Sequence, residues 1–369
     1  MSNVQPLGQH MRIAVAGSDE QLDGAAYRIS LPAGGSFDLM IDANERDGIS
    51  SAIADGSFIL PDIFALLPAL CPTPGRVLDL GAHIGTFALY AAALGHEVLA
   101  VEASARNAAL LRASIALNGY DQIRVAEAAI SNREGTLEFI QAGPYGLVAN
   151  PHFDHPTTSV RAATASQLLK EAGWAQVNFI KMDIEGSEVK GVLGMVDLLG
   201  AETGPPILYE SNGGTLRHFG QTPQTLMGAL HALGYDCLRV YGDQLVPVDA
   251  FTWQPDVVAE LLAVKATPQR AAPWTVRKNG FSSAELAQMA AHALAHSYED
   301  DQLWVARSLG EQAGALLLDA QFRGKAAEAQ QGGSERVRKA LGWLEQSSDA
   351  TGGGGLAALS RLRKLLERE

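Results

Sequence analysis

The chain has 369 residues, of which 47% are hydrophobic and 19% charged, the balance of an ordinary globular protein rather than a disordered one. Its formal net charge of −13 opposes binding to phosphate backbones and anionic lipid, so nucleic acid is not an expected partner. Two distant cysteines, Cys71 and Cys237, indicate buried thiols rather than a disulfide framework. No signal peptide and no apolar run of about 20 residues is evident, which predicts a cytoplasmic protein without a membrane span.

Residues 1–60 form a predicted strand-rich extension. Strand-like segments at 11–16, 27–31 and 37–41 are separated by turns rich in glycine, serine and proline. Pro61 then begins a predicted helix over 62–70.

Strands and helices alternate through the central part of the chain, 61–265. The predicted strands are 76–80, 97–101, 123–128, 136–140, 177–182 and 206–210. The predicted helices are 84–94, 105–118, 165–172, 187–199 and 223–233, followed by a hairpin of 236–241 and 244–247. This alternation predicts an α/β domain whose doubly wound, mostly parallel sheet ends in an antiparallel edge hairpin.

The composition changes after about residue 265. Pro268 and Pro273 mark a predicted linker, and the region 275–369 is predicted to be a helical C-terminal extension with helices at 283–296, 300–323, 334–346 and 356–369. A leucine stripe on the last helix fits packing against its own protein, a homodimer contact or a glycosyltransferase partner.

A glycine-rich turn carries the strongest local signal. The apolar strand 77–80 runs into a turn with Gly81 and Gly85, after which a helix begins. In an open α/β sheet this crossover lies where ligands bind. The dinucleotide fingerprint requires a glycine where His83 stands, so a nicotinamide-dependent oxidoreductase is disfavoured. Asp79 would repel a diphosphate and suits a ligand with a cationic or amino group.

Carboxylates follow three further predicted strands. Glu102 directly follows the second strand, a position from which a carboxylate binds two ribose hydroxyls. The strand 178–182 ends in an acidic turn that contains Asp183 and Glu185, and Glu210 ends the next strand. Carboxylates at neighbouring strand ends serve as a base, a substrate clamp or a metal site.

Four features together resemble the FkbM family of methyltransferases: the turn 79–85, the helix with Asn107 through Asn118 and Gly119, the run 128–135, and the block Ile-Lys-Met-Asp-Ile-Glu-Gly-Ser-Glu at 180–188. The resemblance covers roughly residues 55–250. It implies a class I fold with a seven-stranded Rossmann-like sheet, S-adenosylmethionine as methyl donor, and a hydroxyl of a sugar, glycan or secondary metabolite as acceptor. The implied cofactor-binding residues are Asp79, Gly81, Ala82, His83, Gly85, Glu102, Ala103, Ser104, Glu127, Ala128 and Asp183. The family usually has Asn where His83 stands.

Methyl transfer to a hydroxyl needs orientation and a base. The candidate catalytic residues are Asp183, Glu210 and His155, the last in a predicted long loop, 143–158. His152, Asp154, His155 and Asp183 are spaced too loosely to predict a metal, so none is expected. The competing hypothesis is a non-catalytic binding or scaffold protein on the same fold, with the helical tail as its partner surface.

Overall fold

The computed structural model describes residues 4–32, 34–71, 74–142, 145–149, 156–249, 258–268, 271–282, 285, 286 and 289. His155 and almost all of the predicted C-terminal helices lie outside these residues, so the predictions made for them stay predictions. None of the described helices is long and apolar enough to cross a bilayer.

Strands and helices alternate along the described chain. The strands of the first half are β1 (Val4–Ala14), β2 (Gln21–Ser30), β3 (Ser36–Asp42), β4 (Arg76–Leu80), β5 (Glu97–Glu102), β6 (Ile123–Glu127), β7 (Ala129–Ile130) and β8 (Gly135–Ala142). Those of the second half are β9 (Tyr145–Val148), β10 (Thr157–Ala163), β11 (Phe179–Met182), β12 (Ile207–Asn212), β13 (Asp236–Tyr241), β14 (Gln244–Val248), β15 (Val258–Val264) and β16 (Thr275–Val276). The α-helices are α1 (Gly48–Ala54), α2 (Leu66–Leu70), α3 (Thr86–Ala93), α4 (Ala105–Asn118), α5 (Ala165–Glu171), α6 (Glu188–Leu193), α7 (Val196–Leu199), α8 (Gly213–His218) and α9 (Pro223–Ala232).

A nine-stranded mixed sheet organises the molecule, with strand order β16-β14-β13-β15-β12-β11-β4-β5-β6. Five neighbouring strands of this sheet, β12, β11, β4, β5 and β6, are parallel to one another, as predicted. The pair β13 and β14 is the predicted hairpin. The seven-stranded layout is not observed. One antiparallel strand, β15, lies inside the sheet between β12 and β13. Its apolar run lacks alternation, and such a run does not distinguish a buried strand from a buried helix.

Three local predictions need correction. The predicted loop 143–158 contains β9 and the first residues of β10, which pair with β8 in a second, four-stranded sheet. The predicted helix 187–199 is two helices, since the chain turns at Gly194, where a Cβ would lie 2.4 Å from the Ser131 carbonyl oxygen. The first two residues of the region 275–369, which is predicted to be helical, form strand β16 of the main sheet.

The strand-rich N-terminal extension is a three-stranded antiparallel sheet that packs on α4, and its three predicted strands are confirmed. Two backbone amides of β3 donate to side chains of α4: Met40 N to Ser114 Oγ at 2.8 Å and Asp38 N to Asn118 Oδ1 at 2.7 Å. Apolar side chains of this extension share one core with α3 and α4 on one face of the main sheet. This docking brings residues 47–64 to the carboxyl ends of the central strands.

Candidate active site

The turn after β4 is folded tightly onto its neighbours. Gly81 has φ +77°, and a Cβ there would lie 1.7 Å from the carbonyl oxygen of Asp183. Its amide and that of Ala82 both donate to the Val101 carbonyl at 3.0 Å. Only glycine satisfies both the positive φ and this close approach, so the β4 turn is held against the ends of β5 and β11.

Glu102 ends β5 as predicted and is held by two backbone amides. Its Oε2 accepts from His83 N at 2.7 Å, and its Oε1 accepts from Ser104 N at 2.8 Å. The residue is 8% exposed, and what it exposes lines a cavity. Each carboxylate oxygen has a second lone pair, so the carboxylate can still accept hydrogen bonds from a ligand.

Lys181 joins the turn to the end of β11. Its Nζ lies 3.2 Å from the Gly81 carbonyl oxygen and 3.2 Å from Asp183 Oδ2. Burial opposes its charge, but the charges of Asp183 and Asp79 raise the pKa of Lys181 above its ordinary value. The lysine is therefore a cation, and it lies within ion-pairing distance of the Asp183 side chain.

A pair of glutamates faces the same cavity from the next two strands. Glu210 of β12 lies directly opposite Glu260 of β15 in the antiparallel register, and both line the cavity. Burial, followed by the charge of Asp183, raises the pKa of Glu210 to about 9 and that of Glu260 to about 7. Glu185, in the left-handed region with φ +51°, has its pKa raised to about 7 by the same two causes.

The cavity has a volume of about 510 Å³, within the range of about 300–1,000 Å³ typical of small-molecule and cofactor sites. Three groups of residues enclose it. The central strands contribute the β4 turn, Glu102 and the acidic side chains. The second sheet contributes Phe139 and residues 146–148. The third group is the N-terminal wall, which consists of Asp47, Gly48, Ile49, Phe58, Ile63 and Phe64.

Most of the predicted site residues meet in this cavity. Those that line it are Gly81, Ala82, His83, Glu102, Ala103, Ala128, Asp183 and Glu210. The structure does not bring Asp79, Gly85, Ser104 or Glu127 to its surface. Direct contact of these four with a ligand stays a prediction, and His155 lies outside the described residues.

The four residues away from the cavity have structural surroundings. Asp79 is fully buried beside Lys181, and its pKa is raised to about 6, chiefly by burial. Gly85 precedes α3 and packs on Leu111, where a Cβ would lie 2.3 Å from a side-chain carbon. Ser104 caps α4, and Glu127 pairs with Arg112.

Sequence reasoning missed several cavity residues, namely Asp47, Asn107, Lys181 and Glu260. Lys181 lies inside the block 180–188. A lysine within an otherwise apolar strand is a signal that could have predicted it as a site residue. Glu260 and Asp47 carry no local signal, because each reaches the cavity only through long-range docking of its element.

Within the described residues, no group of three or more His, Cys, Asp or Glu side chains has an arrangement that could hold a metal ion. His152 and Asp154 lie outside those residues.

The central region of the chain matches a known domain family. Residues 79–237 match the model of the methyltransferase FkbM domain. No curated protein matches the chain.

Among solved structures, a precorrin-6y C5,15-methyltransferase from Geobacter metallireducens GS-15 is 11% identical, with 55% of this chain and 86% of that chain covered and a TM-score of 0.34. An O-methyltransferase from Bacillus cereus is 12% identical, with coverages of 55% and 77% and a TM-score of 0.32. The T. thermophilus 16S rRNA N2 G1207 methyltransferase is 16% identical, with coverages of 70% and 59% and a TM-score of 0.36. Nothing about substrate follows from similarities this low.

The domain match and the resemblance of the motifs agree. The Gly81 turn, the Asp183 block and Glu210 of β12 all lie within the matched residues. The central region of this chain is therefore similar to the methyltransferase FkbM domain over residues 79–237, by its motifs and by the domain match alike.

Proposed function

We propose that the protein transfers a methyl group from S-adenosylmethionine to a hydroxyl of a sugar, glycan or secondary metabolite. The observation that carries this proposal is the arrangement of Glu102 and Asp183 on the wall of one cavity within a methyltransferase domain. Bound S-adenosylmethionine supplies a methyl group on a positively charged sulfur, so the reaction needs orientation of the two reactants and a proton acceptor.

The donor side of the cavity comprises residues 81–83, Glu102, Ala103 and Ala128. Its chemistry fits the donor. The Glu102 carboxylate can accept hydrogen bonds from two ribose hydroxyls, and two small residues, Ala103 and Ala128, leave room for a flat base beside it. His83 fills the space where a diphosphate would need a glycine. The donor side therefore fits a nucleoside without phosphates.

The acceptor side comprises Asp183, Glu185, Glu210 and Glu260. Asp183 faces the cavity beside the Lys181 cation, and its carboxylate can take the acceptor's proton. Glu210, with a pKa of about 9, is protonated at neutral pH and can instead donate a hydrogen bond that orients the hydroxyl. As the proton leaves the hydroxyl for Asp183, the oxygen–methyl bond forms and the sulfur–methyl bond breaks.

Binding of S-adenosylhomocysteine tests the donor assignment. The wild-type protein should show a raised melting temperature with this ligand. Glu102→Gln should lose about tenfold or more in affinity, since it loses a charged hydrogen-bond acceptor. Glu97→Gln is the matched control, because Glu97 begins the same strand, is exposed and lies outside the cavity lining. A folded wild-type protein that does not bind would favour the binding or scaffold hypothesis.

The acceptor class is tested with donor that carries a ¹³C-labelled methyl group. The protein is incubated with the glycan and small-molecule fractions of source cells, and carbon NMR then distinguishes a methoxy product from an N-methyl or C-methyl product. A methoxy signal that depends on the protein supports the proposal. Label found only on nitrogen or carbon contradicts it.

A further inference from the structure

Asp47 connects the N-terminal wall to the donor side of the cavity. Its side chain is 3% exposed and contacts both Ser50 and His83. One carboxylate oxygen, Oδ1, accepts from the Ser50 amide at 2.6 Å and so caps α1. The other, Oδ2, lies 2.6 Å from Nε2 of His83. One carboxylate therefore fixes both a helix start and a residue of the β4 turn.

His83 carries this connection through the turn to Glu102. Its φ is +54°, in the left-handed region where Asn, Asp and His are the most frequent residues apart from glycine. Its backbone amide donates to Glu102 Oε2 at 2.7 Å. The His83 imidazole is held by Asp47, and the His83 amide is bonded to Glu102. A shift of the imidazole therefore also displaces the amide that donates to the Glu102 carboxylate.

The contact between Asp47 and His83 is an ion pair. Burial favours the neutral forms of both groups, yet the mutual hydrogen bond and charge lower the pKa of Asp47 and raise that of His83. The negative charge of Glu102 also raises the pKa of His83, whereas the positive charge of Lys181 lowers it.

We propose that Asp47 is a positioning residue of the donor site, which acts through His83 to orient the Glu102 carboxylate. This inference rests on the proposed function. The N-terminal extension lies outside the matched methyltransferase domain, and the proposal gives it a role in donor binding.

The test is calorimetric titration of the full chain with S-adenosylhomocysteine. Asp47→Ser keeps the helix cap, because serine is as good an N-cap as aspartate, but it is too short to reach the imidazole. We expect it to weaken binding about tenfold, the effect of losing one charge-assisted hydrogen bond. His83→Asn, which tolerates the left-handed backbone, should weaken binding similarly. The double variant should be no weaker than either single variant.

Two further variants distinguish a role of Asp47 in positioning Glu102 from a general weakening of the contact between the N-terminal sheet and the rest of the protein. Asp47→Asn retains the cap and a neutral hydrogen-bonding group toward His83, so it should recover part of the lost affinity. Asp42→Asn weakens a different attachment of the N-terminal sheet, the Asp42–Arg106 contact at 2.6 Å, and should lower the melting temperature without changing affinity.

Additive losses in the double variant would contradict the proposal and show that Asp47 contacts the ligand by itself. Unchanged affinity of Asp47→Ser, or an equal loss in Asp42→Asn, would also overturn it. Absence of binding by the wild-type protein is a different outcome, because it would refute the proposed function first.

Discussion

The donor and acceptor sides of the cavity differ in how their polar groups are satisfied. On the donor side, Glu102 accepts two backbone amides and His83 pairs with Asp47. On the acceptor side, Glu210 and Glu260 lie opposite each other on neighbouring strands with raised pKa values. The donor side is thus preorganised by the protein itself, whereas the acceptor side keeps carboxylates in an unfavourable environment.

This difference follows from how each side is assembled. The donor side comes mainly from short, contiguous turns after β4, β5 and β6, which fold against one another locally. The acceptor side combines strand ends that are far apart in the chain. Polar groups held in costly environments are common at sites of chemistry, because their altered pKa values serve the reaction. The contrast predicts that donor-side variants lose binding and acceptor-side variants lose turnover. It also predicts that neutralising a buried glutamate of the acceptor side raises stability.

The largest effect is expected from Gly81→Ala on the donor side. A methyl group there would overlap the Asp183 carbonyl oxygen, in a backbone conformation that alanine disfavours. Titration should detect no binding of S-adenosylhomocysteine. Gly119→Ala is the matched control, because Gly119 also has a positive φ of +65° but has no atom within 4 Å of the added Cβ. Retained affinity in Gly81→Ala would show that the turn does not form the donor site.

The next effect concerns turnover and sharpens the contrast. Asp183→Asn keeps an oxygen for Lys181 but removes the proton acceptor, so methyl transfer at saturating donor should fall about 100-fold or more. Affinity for S-adenosylhomocysteine should change less than about threefold. The readout is transfer of labelled methyl groups, with the exposed Asp197→Asn as control. A loss confined to donor affinity would move Asp183 to the donor side.

Glu210→Gln should stabilise the protein while it slows methyl transfer. Since burial raises the pKa of Glu210 from 4.5 to about 9, the folded state holds a proton that the unfolded state releases. The free energy of unfolding therefore falls as pH rises from about 4.5 towards 9. A glutamine at position 210 resembles the protonated glutamate and does not titrate, so the free energy of unfolding of the variant does not fall with pH on account of this residue.

The variant's melting temperature should exceed that of the wild type by a few degrees at pH 8 and equal it near pH 4. Glu97→Gln, at an exposed site, should show no such trend. An equal melting temperature at pH 8 would mean that Glu210 is not in a costly environment.

The sequence predicts the donor side better than the acceptor side for a physical reason. Gly81, His83 and Glu102 lie at the ends of strands whose order follows from simple alternation, so their meeting is foreseeable. Glu260 reaches the cavity only because β15 inserts antiparallel beside β12, and its apolar sequence does not specify that register. Asp47 depends on the docking of β3 on α4 through Met40 and Ser114, a contact that no local pattern encodes.

The smallest expected effect tests the ion pair between Asp47 and His83, which joins the N-terminal wall to the donor side. The pKa of His83 is raised above 6.5, so its contribution to stability is complete below pH 6.5 and is lost as pH rises through the raised value. Asp47 has its pKa lowered from 3.8, so its contribution is lost only as pH falls below that range. Between about pH 4 and 6.5 the ion pair is intact.

Denaturant titrations at pH 5.5 and pH 9 measure this contribution. His83→Asn should lose about 1–2 kcal/mol of unfolding free energy at pH 5.5, the size of one charge-assisted hydrogen bond, and less at pH 9. Glu210 titrates in the same range but is present in both proteins, so its effect cancels in the difference. In the Asp47→Ser background the same substitution should show no dependence on pH. If that dependence persists without Asp47, the raised pKa of His83 arises from Glu102 instead, and the N-terminal wall is not coupled to the donor turn.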